Sequence, residues 1–348
     1  MRKIAIVGAG IVGTCTAWAL SQRGHQVTLF EQDSPISHTS RASSKLIHGG
    51  LRYLETGQFA LVHKALQARR FWLQQAPHLC HPLPLLFPIY RHSGRPRWQV
   101  GIGLKLYDLL ARGSGFAPAR WLSSADTLRH YPDLNPNGLQ GAYRFFDAQM
   151  DDHALGLWVL AQTQALGTEL VTQHHIDSLA ELAGFDHIVN AAGPWVMDLR
   201  RQQPGAAEHQ IDWVRGSHLF INRPCPAALM LPVPGEQRIF FVLPYQGRTL
   251  IGTTEVRQAH PAAENASSAE IDYLLAAHNH YHRTELHAAD IAATFSGVRP
   301  LLKTAANPSQ AKREWAFERI DNVLHIYGGK WTTAQIQGQA AADVLLKT

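Results

Sequence analysis

The sequence predicts an α/β fold, a parallel-sheet domain carrying an inserted α+β cap built on a mixed sheet. A glycine fingerprint closes an apolar stretch at the N-terminus, and a second apolar stretch ends in small residues at 190–193. Alternating apolar residues at 239–243 and 249–252 suit antiparallel strands outside the parallel sheet. Residues 2–7 read as a buried strand, followed by Gly8-Ala9-Gly10-Ile11-Val12-Gly13, which matches G-x-G-x-x-G. Residues 11–23 read as a helix that Gly24 can end, and 25–30 as a second strand closed by Glu31. Each part has a mechanical reason. Gly8 permits the tight turn, Gly10 lets a pyrophosphate approach the backbone, and Gly13 lets helix pack on strand. The helix N-terminus stabilises phosphate charge. Glu31 can accept hydrogen bonds from ribose hydroxyls, and its charge disfavours a 2′-phosphate and so NADP.

Further along, Ser43-Ser44-Lys45-Leu46-Ile47-His48-Gly49-Gly50-Leu51-Arg52-Tyr53 joins hydroxyls, glycines and cations. A flexible backbone rich in N–H donors suits a phosphorylated cofactor, while His48 offers a proton-handling group and Arg52 an anion clamp. Pro-rich pieces at 77–96 and 132–136 read as loops bounding an insertion. Between them, Arg95-Pro96-Arg97-Trp98 leads into an apolar helix at 100–110, with Arg112, Arg120 and Trp121 beyond; this stripe suits an anionic bilayer or the cap core. Residues 187–190 form a short apolar strand running into Ala191-Ala192-Gly193-Pro194-Trp195, small enough to let a long cofactor pass. The pattern divides the chain into a discontinuous nucleotide domain (1–72, 148–200 and 297–348) and a cap (73–147 and 201–296).

Composition narrows the function. The 348 residues carry a net charge of +5 without any block of like charge, which gives no nucleic-acid arm and leaves an anionic substrate or membrane surface open. Three cysteines, Cys15, Cys80 and Cys225, make no C-x-x-C pair, so a reducing, cytoplasmic compartment is expected. Met1-Arg2-Lys3 before an uncharged stretch imitates a signal peptide, but the glycines there complete the fingerprint. No metal site is expected: His278, His280 and His282 lack a third ligand and read as a solvated helix, and His174-His175 has no partner at ligand spacing.

Residues 8–31, 43–55 and 190–195 together resemble the FAD-dependent glycerol-3-phosphate dehydrogenases of the D-amino-acid-oxidase-like flavoprotein superfamily. Segments 215–218, 251–255, 296–300 and 328–333 agree, and the likeness runs from Ile4 to about Val344. It implies an FAD-binding Rossmann-like domain of glutathione-reductase type and a non-covalent, extended FAD. It also implies hydride transfer from sn-glycerol 3-phosphate to flavin N5, giving dihydroxyacetone phosphate, with electrons passing to a membrane quinone, or to oxygen in the oxidases. By the same resemblance Arg52 and Arg299 grip the phosphate, and Tyr53 and Thr254 line the pocket. Loss of the hydroxyl proton needs a base, for which His48 and His218 are the candidates. Lys330, after Gly328-Gly329 at an expected helix start, can stabilise charge on the reduced flavin or touch substrate. Ser40, Ser43, Ser44, Lys45, Gly49, Gly193 and Thr332 complete the expected cofactor contacts. The sequence also departs from the family. It stops at Thr348, before the family's helical C-terminal domain, it is short between 171 and 189, and Glu255 stands where Asp is more usual. Another small anionic alcohol or amine as substrate, or a non-catalytic FAD-binding sensor, remain the alternative readings, and the oligomeric state stays open.

Overall fold

A computed structural model of the chain describes residues 1–91, 94–262, 265–303 and 315–347. Two sheets organise it. The first has six strands in the order Trp315–Ile320, Val323–Gly328, His187–Asn190, Lys3–Val7, Gln26–Phe30 and Glu169–Val171. All neighbours are parallel except the terminal hairpin. Its central strands are apolar on both faces, with Ile4, Ala5, Ile6 and Leu29 fully buried, because helices cover both sides. The helix Ile11–Ser21 packs against the helices Asp152–Ala165 and Ala334–Leu346. It ends two residues before the sequence suggests, where Gln22 caps it.

The second sheet has ten strands. Eight run in the order Val256–Gln258, Ile211–Ile221, Arg248–Gly252, Ile239–Tyr245, Ala228–Pro232, Cys80–Tyr90, Leu139–Met150 and Leu46–Ile47. Ile291–Leu302 adds alongside Ile211–Ile221, and Arg120–Ser123 alongside Leu139–Met150. The pair Ala228–Pro232 and Cys80–Tyr90 is parallel and the other pairs are antiparallel, so the sheet is mixed. The alternating stretches at 239–243 and 249–252 form its central hairpin. One core contains Leu274, Leu275 and Tyr281 of the helix Ser268–Tyr281. A separate core joins Leu61 and Leu66 of Phe59–Gln75 to Leu104 and Tyr107 of Arg97–Leu110.

Three expectations are corrected here. The Pro-rich stretch 77–96, read as a loop, contains the strand Cys80–Tyr90, which pairs along its length with Leu139–Met150. His278 and His282 do not lie on a solvated face: they are 3% and 4% exposed and stack with 3.7 Å between ring centroids. His282 Nδ1 lies 2.7 Å from the His278 carbonyl, and Tyr131 packs edge-on against His282, so flat neutral imidazoles fill the joint between this helix and residues 131–135. Gly328-Gly329 does not open the last helix directly; a turn holds Lys330, and the helix starts at Ala334.

Candidate active site

A cavity of about 540 Å³ is walled by segments of both sheets, within the range of cofactor and ligand pockets. The fingerprint opens onto it. Gly8 holds φ +102°, and a Cβ on Gly13 would lie 1.9 Å from the Gly8 carbonyl, so helix and strand meet there as the motif requires. Gly8, Gly10, Glu31 and Ser40 line the cavity. The Ile11 N–H donates to Ser40 Oγ (2.9 Å) at the helix N-terminus. Glu31 is buried at its strand end and accepts from the N–H groups of Ala9 (2.8 Å) and Asp33 (3.1 Å). Two indoles stitch the remaining wall: Trp331 donates to the Ser40 carbonyl and Trp72 to that of Thr332, both at 2.8 Å. Gly193, Gly328, Gly329 and Thr332 also line it. Among the described residues, the buried Ser37 Oγ and His218 Nδ1 have no hydrogen-bond partner, and both residues border the cavity. A helix N-terminus, a carboxylate at the second strand end and two polar atoms awaiting a partner fit a dinucleotide such as FAD.

His218 and Ser44 line the cavity together, with Ser44 Oγ 2.9 Å from His218 Nε2. The imidazole stacks on Phe295 (4.7 Å between centroids, 8° apart). Burial, then the charges of Lys45 and Arg299, hold its pKa down to about 3, so it is neutral at pH 7. Lys45 itself is a correction. It does not line the cavity; its Nζ donates to Asp152 Oδ1 and the Arg41 carbonyl, both at 2.7 Å. Asp152 is fully buried at the start of a helix, and leaving that charge unpaired would be costly. Ser43 lines the cavity but gives its hydroxyl to the same carboxylate (2.7 Å).

His48, Arg52, Tyr53, Arg299 and Lys330 also line the cavity. Lys330 Nζ sits over the Tyr53 ring, 3.9 Å from its centroid. Arg299 donates to the Thr254 carbonyl (3.0 Å), and its Nη1 lies 3.4 Å from Glu255 Oε1. Thr254 does not line the cavity, against expectation. Its hydroxyl donates to Glu270 (2.7 Å) and accepts from the Ser217 N–H (2.9 Å), while Thr253 takes the lining position. Burial opposes the Glu270 charge, but hydrogen bonds from Thr254, Ser267, Ser217 and Arg215 hold its pKa down to about 2.

Among the lining residues that escape the sequence reading are Arg238 and Asp147. Asp147 Oδ1 accepts from Arg69 Nη1 (2.5 Å), Tyr107 Oη (2.6 Å) and the Gly49 N–H (3.1 Å). The Gly49 N–H also donates to Tyr107 Oη (2.9 Å). Burial, then Asp147, pushes the Tyr107 hydroxyl well above its usual range, so it stays a neutral donor. Gly49 therefore contacts this network and not the cavity; it fixes the turn that carries His48. An acidic residue between apolar neighbours, Phe145-Phe146-Asp147-Ala148, was the available signal.

Comparison with known proteins agrees with this geometry. The chain matches the family described as FAD dependent oxidoreductase (DAO) over residues 3–344. A glycerol-3-phosphate dehydrogenase of Pseudomonas aeruginosa is 33% identical, covering 98% of this chain and 71% of the relative. One from Synechocystis sp. is 32% identical, covering 98% and 69%. A D-erythritol 1-phosphate dehydrogenase of Brucella abortus is 33% identical, covering 94% and 70%. Among solved structures, a Bacillus halodurans glycerol-3-phosphate dehydrogenase complexed with FAD superposes with a TM-score of 0.76 at 24% identity, covering 99% of this chain and 64% of that one. An FAD-bound L-α-glycerophosphate oxidase from Mycoplasma pneumoniae gives 0.78 at 17% identity, covering 100% and 95%. With the fingerprint, the carboxylate at the second strand end and the cationic wall converging on one cavity, the chain belongs to the FAD-dependent oxidoreductase (DAO) family.

Proposed function

We propose that the protein oxidises sn-glycerol 3-phosphate to dihydroxyacetone phosphate and passes the electrons to a quinone. The observation that carries this reading is the meeting of Arg52, Arg299 and Lys330 with two imidazoles on the cavity into which the glycine fingerprint opens. When bound, FAD supplies the two-electron acceptor that takes hydride at N5. The chain's own residues do the rest. Arg52 and Arg299 hold the phosphate by charge-assisted hydrogen bonds. His48 takes the hydroxyl proton as hydride leaves the same carbon. His218, with its pKa near 3, binds a proton too weakly to serve as base at neutral pH, and instead shapes the pocket with a ring held by Ser44. Lys330 stabilises negative charge beside the substrate. The six-stranded sheet would form the cofactor domain and the ten-stranded sheet the cap.

A four-carbon polyol phosphate is the second reading, favoured by the likeness to the D-erythritol 1-phosphate dehydrogenase. Anaerobic addition of each ester to the flavin-loaded protein separates the two. We expect bleaching of the oxidised-flavin band by glycerol 3-phosphate at lower concentration than by D-erythritol 1-phosphate; the reverse order selects the longer substrate, and no bleaching by either removes both.

A further inference from the structure

We propose that Glu255, anchored by Arg238, is the charge-balancing residue of the anion pocket, setting its grip weak enough for a phosphorylated product to leave. This rests on the polyol-phosphate reading above and deepens it. Glu255 lines the cavity with its side chain only 10% exposed. Oε1 stands 3.4 Å from Arg299 Nη1, and Oε2 stands 3.4 Å from Arg238 Nε. Arg238 is tied down elsewhere: its Nη2 donates to the Thr253 carbonyl and its Nη1 to the Tyr273 hydroxyl, both at 3.0 Å. Tyr273 donates in turn to Glu236 (3.1 Å). Arg299 is tethered through the Thr254 carbonyl, and the Thr254 side chain is fixed by Glu270. Both guanidiniums that flank the carboxylate are therefore held in place.

A fixed negative charge beside the gripping arginine lowers the positive potential an incoming anion feels, in proportion to that anion's charge. Lower affinity serves turnover. Binding energy shared equally by substrate and product does not speed the chemical step, and an over-tight phosphate site retains the ketone phosphate. Arg238 has a separate task, because it neutralises Glu255 and keeps the carboxylate from pairing wholly with Arg299.

Opposite signs in two variants test the idea. The flavin-loaded protein is titrated with two tetrahedral probes, sulfate as dianion and perchlorate as monoanion, followed by the change in flavin absorbance and by competition with glycerol 3-phosphate. Glu255→Gln should bind sulfate about tenfold more tightly and perchlorate about threefold, because the Coulomb gain scales with probe charge. Arg238→Gln should weaken both, by more for sulfate. A merely structural role would weaken binding in both variants without regard to probe charge. Unchanged or weaker sulfate binding in Glu255→Gln, with the wild type binding normally, overturns the inference alone. A wild type that binds neither sulfate nor glycerol 3-phosphate overturns the phosphate reading and this inference together.

Discussion

His48 and His218 line the same cavity yet differ in what surrounds them. Burial and two neighbouring cations keep His218 uncharged down to about pH 3, so its titration lies outside the working range. Removing His48 should abolish the neutral-pH rise in kcat/KM, whereas His218→Ala should lower kcat while leaving the position of that rise unchanged. Stopped-flow flavin reduction between pH 5.5 and 9 checks both; a rise that persists in His48→Ala returns the base assignment to other groups. His48 was legible because the motif around it is dense: eleven of the fifteen positions from 39 to 53 line the cavity. Arg238 was not legible, since it precedes the strand Ile239–Tyr245 as one arginine among many, and only the fold brings it to Glu255. Lys45 was misread for a related reason. Its lysine stands in a phosphate-like setting, but the partner that claims it, Asp152, lies 107 positions away.

The stacked pair His278 and His282 illustrates what a helix joint costs when it buries imidazole. Burial, and for His278 the neighbouring His282, lowers both; His278 is held to about 3. Asp133, which accepts from the Thr284 N–H and hydroxyl, favours the charged form of both, and Arg223 opposes it. Folded-state values below the unfolded 6.5 mean that the unfolded chain binds more protons as pH falls, so stability is full above about 6.5 and is lost toward 3. His278 alone should contribute about 1.4 kcal/mol of loss per pH unit in that window. Replacing it with Gln should flatten the urea-denaturation midpoint between pH 6.5 and 5; an equal slope in both proteins would show that other groups carry it. At this scale the regular elements were readable from period and punctuation, as in Lys3–Val7, Gln26–Phe30 and the hairpin Ile239–Tyr245 with Arg248–Gly252. Ends were not: the turn before the last helix takes three residues, Trp331 to Thr333, that no propensity distinguishes from a helix start.

At the scale of the molecule, an apolar surface stands out among the described residues. Trp98, Ile102 and Leu109 of the helix Arg97–Leu110 are 68%, 60% and 48% exposed, with Lys105 and Arg112 beside them. Arg95, for which the sequence left bilayer and cap core both open, is buried against Glu55. Among the described residues no helix is long and apolar enough to cross a membrane. We propose that this face rests on an anionic bilayer, where quinone would be reached. Flotation with phosphatidylglycerol vesicles should recover the wild type, and Trp98→Ser with Ile102→Ser should leave most protein behind; equal recovery would dismiss the contact. The opposite face of the same helix carries Tyr107, which meets the His48 turn through Gly49. The indole wall has a consequence of its own. Trp331 and Trp195 border the cavity, so near-ultraviolet emission from the apoprotein should dim as the yellow chromophore enters, letting a simple fluorimeter count loaded molecules before any substrate is added.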